Sequence, residues 1–380
     1  MKLSCTRDNL YRGLSTTSHV GGKNSNLPIL SNVLLKAEGG SLKLTATNLE
    51  MAISCLVRGK IEQEGEFTVP AKLFSDFISL LPGDQVDLHV VGDTLHVRSG
   101  SHTTKISGLP ASDFPLVPPV RDGVSFTLSA QALRQVLSRV LFAVATNESR
   151  PELTGVYASF NDPVDGAGKA VFAATDSYRL SEALIDCHGS SEVRTAIIPA
   201  RALSEFARIL SVFKDDVEVP ETVEVVLSDN QIVLRYGSVE LTSRTIEGTY
   251  PNYRQIIPNR HETEARIQTD ALARAMKAAS LFARTGLFDV SLELDTEAKQ
   301  LRVTGADAAR GENTSTSEAV IVGTNNRVAL NYRYLLDGLT ALGEEEARFR
   351  MIDANNPCVL LPPESSTGTK FLYIVMPIKQ

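Results

Sequence analysis

The segment AVFAATDSYRL, residues 170–180, decides the fold because it is answered by LKLTATNLEM at residues 42–51 and by LRVTGADAARG at residues 301–311. Each is an apolar, strand-like run that ends in a turn centred on Asn or Asp. Asn48, Asp176 and Asp307 stand 128 and 131 residues apart, about one third of a 380-residue chain. A fixed period of this kind signals tandem copies of one structural unit.

Two further registers repeat with the same spacing. KLSCTRDNLYRGLS from Lys2, FTLSAQALRQVLSRV from Phe126 and ARIQTDALARAMKAA from Ala265 each lead from a strand into an amphipathic helix, with Leu10, Leu133 and Leu272 equivalent. EFTVPAKLFSDFISLLPGD from Glu66, TAIIPARALSEFARIL from Thr195 and RVALNYRYLLDGLTALG from Arg327 predict helices that start at Lys72, Arg201 and Arg333. Their apolar anchors are read as Leu73, Leu203 and Leu335. Between the helices lie alternating segments whose turn centres, Gly92-Asp93, Ser228-Asp229-Asn230 and Asp295-Thr296, predict hairpins. Each third is therefore an α+β unit of two helices and antiparallel strands. The Pro-rich stretches at residues 114–123 and 250–262 close the first two units, so the domains are placed at 1–122, 123–260 and 261–380.

Composition narrows the function. The chain carries 38 Lys plus Arg against 45 Asp plus Glu, a formal net charge of −7, which argues against a generic nucleic-acid binder. Cys5, Cys55, Cys187 and Cys358 form no C-x-x-C pair and fit a reducing compartment. No apolar run is long enough for a membrane helix, and the first 30 residues lack the continuous apolar core of a signal peptide. The six histidines show no ligand spacing, so neither a metal site nor a cofactor is expected. HVGGKNSN around Lys23 fails as a phosphate loop, since Thr17 and Asn24 stand where Gly and Ser or Thr are needed. It reads as a basic surface loop or a phosphate-backbone contact.

The distribution of charge differs from its mean. The six predicted helices carry eleven basic residues, among them Arg134, Arg139, Arg208, Arg274, Lys277 and Arg284, against five acidic ones, which leaves the remainder of the chain acidic. Helices that merely favour Lys and Arg on a solvated face would show the same excess. A basic helical layer without Trp or an aromatic platform suits phosphate contacts without base readout, so if the ligand is a nucleic acid it is a duplex bound by shape and charge. A hydrolase or transferase built on Asp176 and Arg179 lacks a nucleophile and a His partner, so no catalytic residue is assigned.

The sequence also resembles a known family, the bacterial DNA polymerase III beta subunits or sliding clamps. The likeness is carried by LPILSNVLLKAEGGSLKLTATNLEM (residues 27–51), FTVPAKLFSDFISLLP (67–82), ATDSYRLS (174–181), YPNYRQIIP (250–258) and YIVMPIKQ (373–380). The resemblance implies three tandem domains of the DNA clamp fold and a ring-forming head-to-tail homodimer, with helices inside and sheets outside. It implies a non-enzymatic processivity factor that encircles double-stranded DNA. Its implied partners are the replicative DNA polymerase catalytic subunit, the clamp loader complex and other repair and replication proteins, in the cytoplasm at the nucleoid. DNA-contact positions carried over are Lys23, Lys72, Asn147, Arg150, Arg201 and Arg208. The partner-peptide pocket is carried over to Leu153, Thr175, Tyr178, Arg179, Leu180, Pro251, Ile256, Val359, Ile374, Val375, Met376 and Pro377. The dimer cluster is carried over to Ile106, Leu281 and Phe282. Ser177-Tyr178 and Gln255 depart from the family's usual residues, which implies a reshaped, less positive pocket, and Pro151-Glu152 stand in place of the family's frequent aromatic pair, which argues against the single-strand or tilted-duplex contact at that loop. A repeat scaffold that binds protein motifs without encircling DNA is the alternative.

Overall fold

The computed structural model describes residues 1–21, 27–118, 120, 122–213, 220–366 and 369–379. In the first third the elements run β1 (Lys2–Thr6), α1 (Arg7–Thr17), β2 (Asn32–Glu38), β3 (Ser41–Thr47), β4 (Met51–Gln63), β5 (Gly65–Pro70), α2 (Ala71–Ser79), β6 (Gln85–Val91), β7 (Thr94–Ser99) and β8 (His102–Ser107). The middle third gives β9 (Val124–Ser129), α3 (Ala130–Val140), β10 (Gly155–Phe160), β11 (Lys169–Thr175), β12 (Arg179–Gly189), β13 (Arg194–Pro199), α4 (Ala200–Val212), β14 (Thr222–Leu227), β15 (Gln231–Tyr236) and β16 (Val239–Arg244). The last third gives β17 (Thr263–Gln268), α5 (Thr269–Ser280), β18 (Asp289–Asp295), β19 (Gln300–Asp307), β20 (Gly311–Glu318), β21 (Val320–Gly323), β22 (Asn326–Asn331), α6 (Tyr332–Leu342), β23 (Glu346–Met351), β24 (Cys358–Leu361) and β25 (Lys370–Val375). The six predicted helices are all present.

The chain packs into two compact units. The first comprises Met1–Ala130, His188–Ser190 and Arg201–Thr245, and the second Gln131–Cys187, Ser191–Ala200 and Ile246–Gln380. The middle third is thus shared between them, because its strands extend sheets begun by both neighbours. In the first unit β16 pairs with β4, giving one antiparallel sheet in the order β9, β14, β15, β16, β4, β3, β2, β5. A smaller sheet runs from the far end of β4 through β1, β6 and β7 to β8. In the second unit β12 pairs with β25, giving the order β13, β10, β11, β12, β25, β24, β23, β17, β21. A separate four-stranded sheet runs β22, β18, β19, β20.

The repeated turn is built the same way three times. The side-chain oxygen of Asn48 accepts from the N–H of Glu50 and Met51 at 3.1 and 2.9 Å. Asp176 accepts from Tyr178 and Arg179 at 2.9 and 3.0 Å, and Asp307 from Ala309 and Arg310 at 2.9 and 3.2 Å. Short Asn and Asp side chains hold such turns by replacing a backbone acceptor, which is why these residue types recur at the strand ends.

The helices bury the stripes that their spacing predicts. Leu10, Leu133 and Leu272 are all buried, and Thr6 caps α1 by accepting from Asn9 N–H at 3.3 Å. One anchor needs correction. Leu73 is 56% exposed, and the residue equivalent to the buried Leu203 and Leu335 is Phe74, because α2, α4 and α6 begin at Ala71, Ala200 and Tyr332. The hairpin between β18 and β19 also turns later than Asp295-Thr296, since Asp295 pairs with Gln300 and its carboxylate accepts from Glu297 and Ala298 N–H. In the second unit Gly338 of α6 lies against the Tyr373 ring, where a Cβ would come within 2.3 Å. The missing side chain lets α6 settle on β25 and fixes the back of the site described next.

Candidate functional site

Residues of β12, β24 and β25 form a buried apolar cluster in the second unit, at the place of the expected peptide pocket. Leu180 pairs with Ile374, and Ile374 with Val359. Together with Ala173 and Tyr253 these make one buried cluster, against which Tyr157, Tyr250, Ile257, Leu361, Leu372 and Met376 pack. Strand alternation puts every second side chain on this face. Tyr178, just before β12, has the parity of Leu180 and is 64% exposed at the rim. Met376, just past β25, donates its N–H to the carbonyl of Tyr178 at 2.9 Å and so closes the seam between the two chain segments. Thr175 is buried opposite Leu180, and its hydroxyl donates to the carbonyl of Arg179 at 2.6 Å.

The loop around the 3-10 turn Tyr253–Ile256 packs on this cluster, with Tyr253 as a buried member and Ile257 against it. Pro251 accepts from Tyr253 N–H at 2.7 Å, and Ile256 is 40% exposed at the end of the turn. The Tyr157 and Tyr250 rings stack with centroids 5.3 Å apart, and Tyr253 meets Tyr157 edge-on at 6.1 Å. Tyr250 donates to Ala173 O at 3.4 Å. Burial first, and then neighbouring carboxylates, push both Tyr250 and Tyr253 well above the usual phenol value. These tyrosines act as neutral, amphipathic packing groups.

Two expected pocket residues point away from this cluster. Val375 pairs with Arg179 and Cys358, and its parity is that of Tyr373, whose hydroxyl donates to Tyr334 O on α6 at 2.8 Å. Val375 therefore packs on the helix side. The Arg179 guanidinium likewise bonds to Asp176 at 2.9 Å and to Asp337 of α6 at 2.6 Å, and lies 4.6 Å from the centre of the Tyr334 ring. It is used inside the fold. Leu153 is buried in the 3-10 turn Pro151–Thr154. Reading consecutive strand residues as one site ignored their alternation. Tyr157, Tyr250, Tyr253, Ala173 and Leu372 were missed, although Ala173 stands two residues from Thr175 and Tyr250 and Tyr253 lie within the quoted YPNYRQIIP.

The expected phosphate-contact residues differ in availability. Lys23 lies outside the described residues. In the first unit Arg201, at the start of α4, is exposed with no ion pair or hydrogen bond among the described residues. Lys72 on α2 is exposed and pairs with Asp76 at 2.6 Å. Arg208 is held at 2.8 Å by Thr16 O, at 3.2 Å by Ser15 O and at 2.9 Å by Glu205, so it caps the C-terminal carbonyls of α1 and is not a free cation. In the second unit Asn147 and Arg150 are exposed, with Arg150 paired to Glu152 at 2.9 Å, and α5 shows Arg274 and Lys277 to solvent. Arg139, counted among the helical cations, is buried and donates to Thr369 O and Leu342 O at 2.8 and 3.2 Å. The basic layer is therefore thinner than the residue count.

Among the described pairings β8 in the first unit and β20 in the second are each paired on one side only, as are β5, β13, β21 and β22. Leu281, the C-cap of α5, is 69% exposed, and the Phe282 ring lies beside Gly311 at the start of β20. Ile106 is different. It points from β8 into the core at 4% exposure, as its alternation with exposed Lys105 and Ser107 requires.

Among the described residues no group of three or more His, Cys, Asp or Glu could hold a metal ion, and no helix is long and apolar enough to cross a membrane.

Comparison with known proteins gives concordant matches. Models of the DNA polymerase III beta subunit match in series: the N-terminal domain at residues 1–118, the central domain at 127–252 and the C-terminal domain at 254–379. The beta sliding clamp of a Synechocystis species is 32% identical over all of this chain and 99% of its own length. The solved sliding clamps of Pseudomonas aeruginosa and Bartonella birtlesii, each bound to griselimycin, superpose over the whole of both chains with TM-scores of 0.91 and 0.90, each at 28% identity.

Proposed function

Because the chain belongs to the DNA polymerase III beta subunit family, the non-enzymatic processivity factors of DNA replication, we propose that it closes into a two-chain ring around duplex DNA and tethers partners through the second-unit cleft. The observation that supports the ring is that β8 is paired on one side only and that β20, also paired on one side only, has exposed Leu281 and the Phe282 ring beside it. Two sheets already run from one third of the chain into the next, through β4 with β16 and through β12 with β25. Pairing β8 of one copy with β20 of another makes the third such junction and removes both edges, which are otherwise sites of unwanted association. The charges match, with Arg98 and Lys105 on β7 and β8 and Glu312 and Glu318 exposed on β20. Leu281 and Phe282 supply the apolar part of this contact.

Topology holds such a ring on DNA, so the contacts can be weak and screened, and sliding is preserved. Arg201, Lys72, Arg150 and Asn147 are the proposed phosphate contacts, and Lys23 a further one. Domain limits near residues 122 and 260 follow the three-fold repeat.

The cleft suits a short extended segment with an apolar anchor. Leu180, Val359 and Ile374 form its floor, Met376 an adaptable edge, and Tyr178, Pro251, Ile256 and Pro377 its rim. The polymerase, the clamp loader and repair proteins are the proposed sources of such segments, and griselimycin the proposed small ligand. The setting is cytoplasmic. A scaffold that never encircles DNA is not favoured, since the relatives over the whole chain length are sliding clamps. Primer extension by a bacterial replicative polymerase with its loader tests the function: long products are expected with this chain and short ones without it. Equal product lengths would refute the proposal.

A further inference from the structure

Resting on the cleft reading above, we propose that Glu182 is a positioning residue of the cleft, one that fixes the Tyr253 wall without touching the bound segment. Glu182 lies on β12 two residues beyond Leu180 and shares its face, paired between Ala173 on β11 and Leu372 on β25. A carboxyl group thus stands in an otherwise apolar floor. It is covered by Tyr253, which is 6% exposed and donates its hydroxyl to Glu182 Oε2 at 2.5 Å.

The next residue holds the same turn at a second point. Arg254 donates from Nη1 to Asp162 at 2.8 Å and from Nη2 to Asp165 at 2.6 Å, and the Asp162 carboxylate is nearly inaccessible to solvent. The wall loop is therefore held from behind by three carboxylates, while Ile256 at its other end reaches solvent. A wall fixed at Tyr253 and Arg254 presents Ile256 and Ile257 to the cleft in one position.

The internal repeat shows that the fold does not require this carboxyl. Asn48 corresponds to Asp176 and makes the same turn, and Arg244 N–H donates to Glu50 O at 3.0 Å as Met376 N–H does to Tyr178 O. The residue in the place of Glu182 is Ser54, paired between Thr45 and Glu240. The same strands, register and seam form there without a buried acid. Burial pushes the Glu182 carboxyl above its ordinary value, against the pull of Tyr253 and Arg254, so this residue detracts from stability when ionised.

The test uses the full-length chain with griselimycin as probe and the variants Glu182→Gln, Glu182→Leu and Tyr253→Phe. Glu182→Gln keeps an acceptor for the Tyr253 hydroxyl and is expected to bind within about threefold of the parent, whereas Glu182→Leu and Tyr253→Phe lose about tenfold. Near-ultraviolet circular dichroism, to which Tyr157, Tyr250 and Tyr253 contribute among the chain's nine tyrosines, is expected to change in Glu182→Leu and not in Glu182→Gln. Folded Glu182→Leu with parental affinity and parental tyrosine signal overturns the proposal. So does an affinity loss in Glu182→Gln as large as in Glu182→Leu. If the parent does not bind griselimycin, the cleft reading fails, and the tyrosine signal alone decides whether Glu182 positions the wall.

Discussion

The backbone N–H of Met376 donates to the carbonyl of Tyr178 at 2.9 Å, and this bond joins the end of the chain to the turn that opens β12. The equivalent bond in the first unit, from Arg244 to Glu50, joins different side chains: Ala52, Thr242 and Arg244 replace Leu180, Ile374 and Met376. One backbone seam is thus used twice, and in the second unit its lining is apolar. That difference in side chains, on a shared register, is what makes the second-unit seam fit for an apolar anchor.

Changing Met376 to Asp should weaken griselimycin binding by at least about tenfold, because a carboxylate at the edge of an apolar cleft must be desolvated on binding. The corresponding change of Arg244 to Asp should leave binding at its parental level. Calorimetric titration of both variants reads the contrast, and equal losses would place the ligand elsewhere.

Arg201 and Arg208 should separate under charge reversal. Arg201→Glu removes an exposed cation that has no ion pair among the described residues and is expected to speed release from duplex DNA, with little effect on the melting temperature. Arg208→Glu breaks the cap on the Ser15 and Thr16 carbonyls and sets two carboxylates side by side with Glu205, so it should destabilise the fold by about 1–3 kcal/mol. Thermal melts and DNA release measured together decide this.

Leu281→Asp should yield monomers. The residue is 69% exposed in one chain, so the change is nearly neutral for folding, yet it puts a charge beside the open edge strand β20. Sedimentation velocity is expected to show a parental dimer and a folded monomeric variant. A variant that remains dimeric contradicts pairing at that edge.

Acid should act on two groups of carboxylates in opposite directions. Burial alone would raise Asp162 and Glu264, but Arg254 and the Val164 N–H hold Asp162 below 3.8, and Arg350 and Arg348 hold Glu264 below 4.5. Folded values below unfolded ones mean stability that is present above those ordinary values and lost as the pH falls through the folded ones. Glu182 is raised by burial, so the folded chain takes up its proton first and this residue's penalty shrinks as the pH falls from neutrality through the folded value. Melts of the parent and Glu182→Gln should therefore converge as the pH falls towards 4.5, the ordinary glutamate value. A constant difference across that range would mean that Glu182 does not titrate in it.

The periodic features of this chain were legible in its sequence. The helices expected at Lys72, Arg201 and Arg333 each start one residue earlier, and the amphipathic runs around Leu10, Leu133 and Leu272 are helices α1, α3 and α5, because apolar spacing and flanking strands encode them locally. The Asn48, Asp176 and Asp307 turns were visible for the same reason. What a side chain does after the strands align was less so. Arg139 and Arg208 look like surface cations in a helix, but each reaches carbonyls far away in sequence, Leu342 and Thr16. Ile106 looked like an interface residue until its strand parity turned it inward. Period-two alternation would have separated Leu180 and Ile374 from Arg179 and Val375. Nothing local pairs Glu182 with Tyr253, which lie 71 residues apart.

The most direct test of the ring is retention on circular and linear duplex DNA after loading with a matched clamp loader and ATP. The expected result is long retention on closed circles that disappears when the circle is cut. Equal dissociation from both forms, with a loader shown to be active on a control clamp, would contradict encirclement.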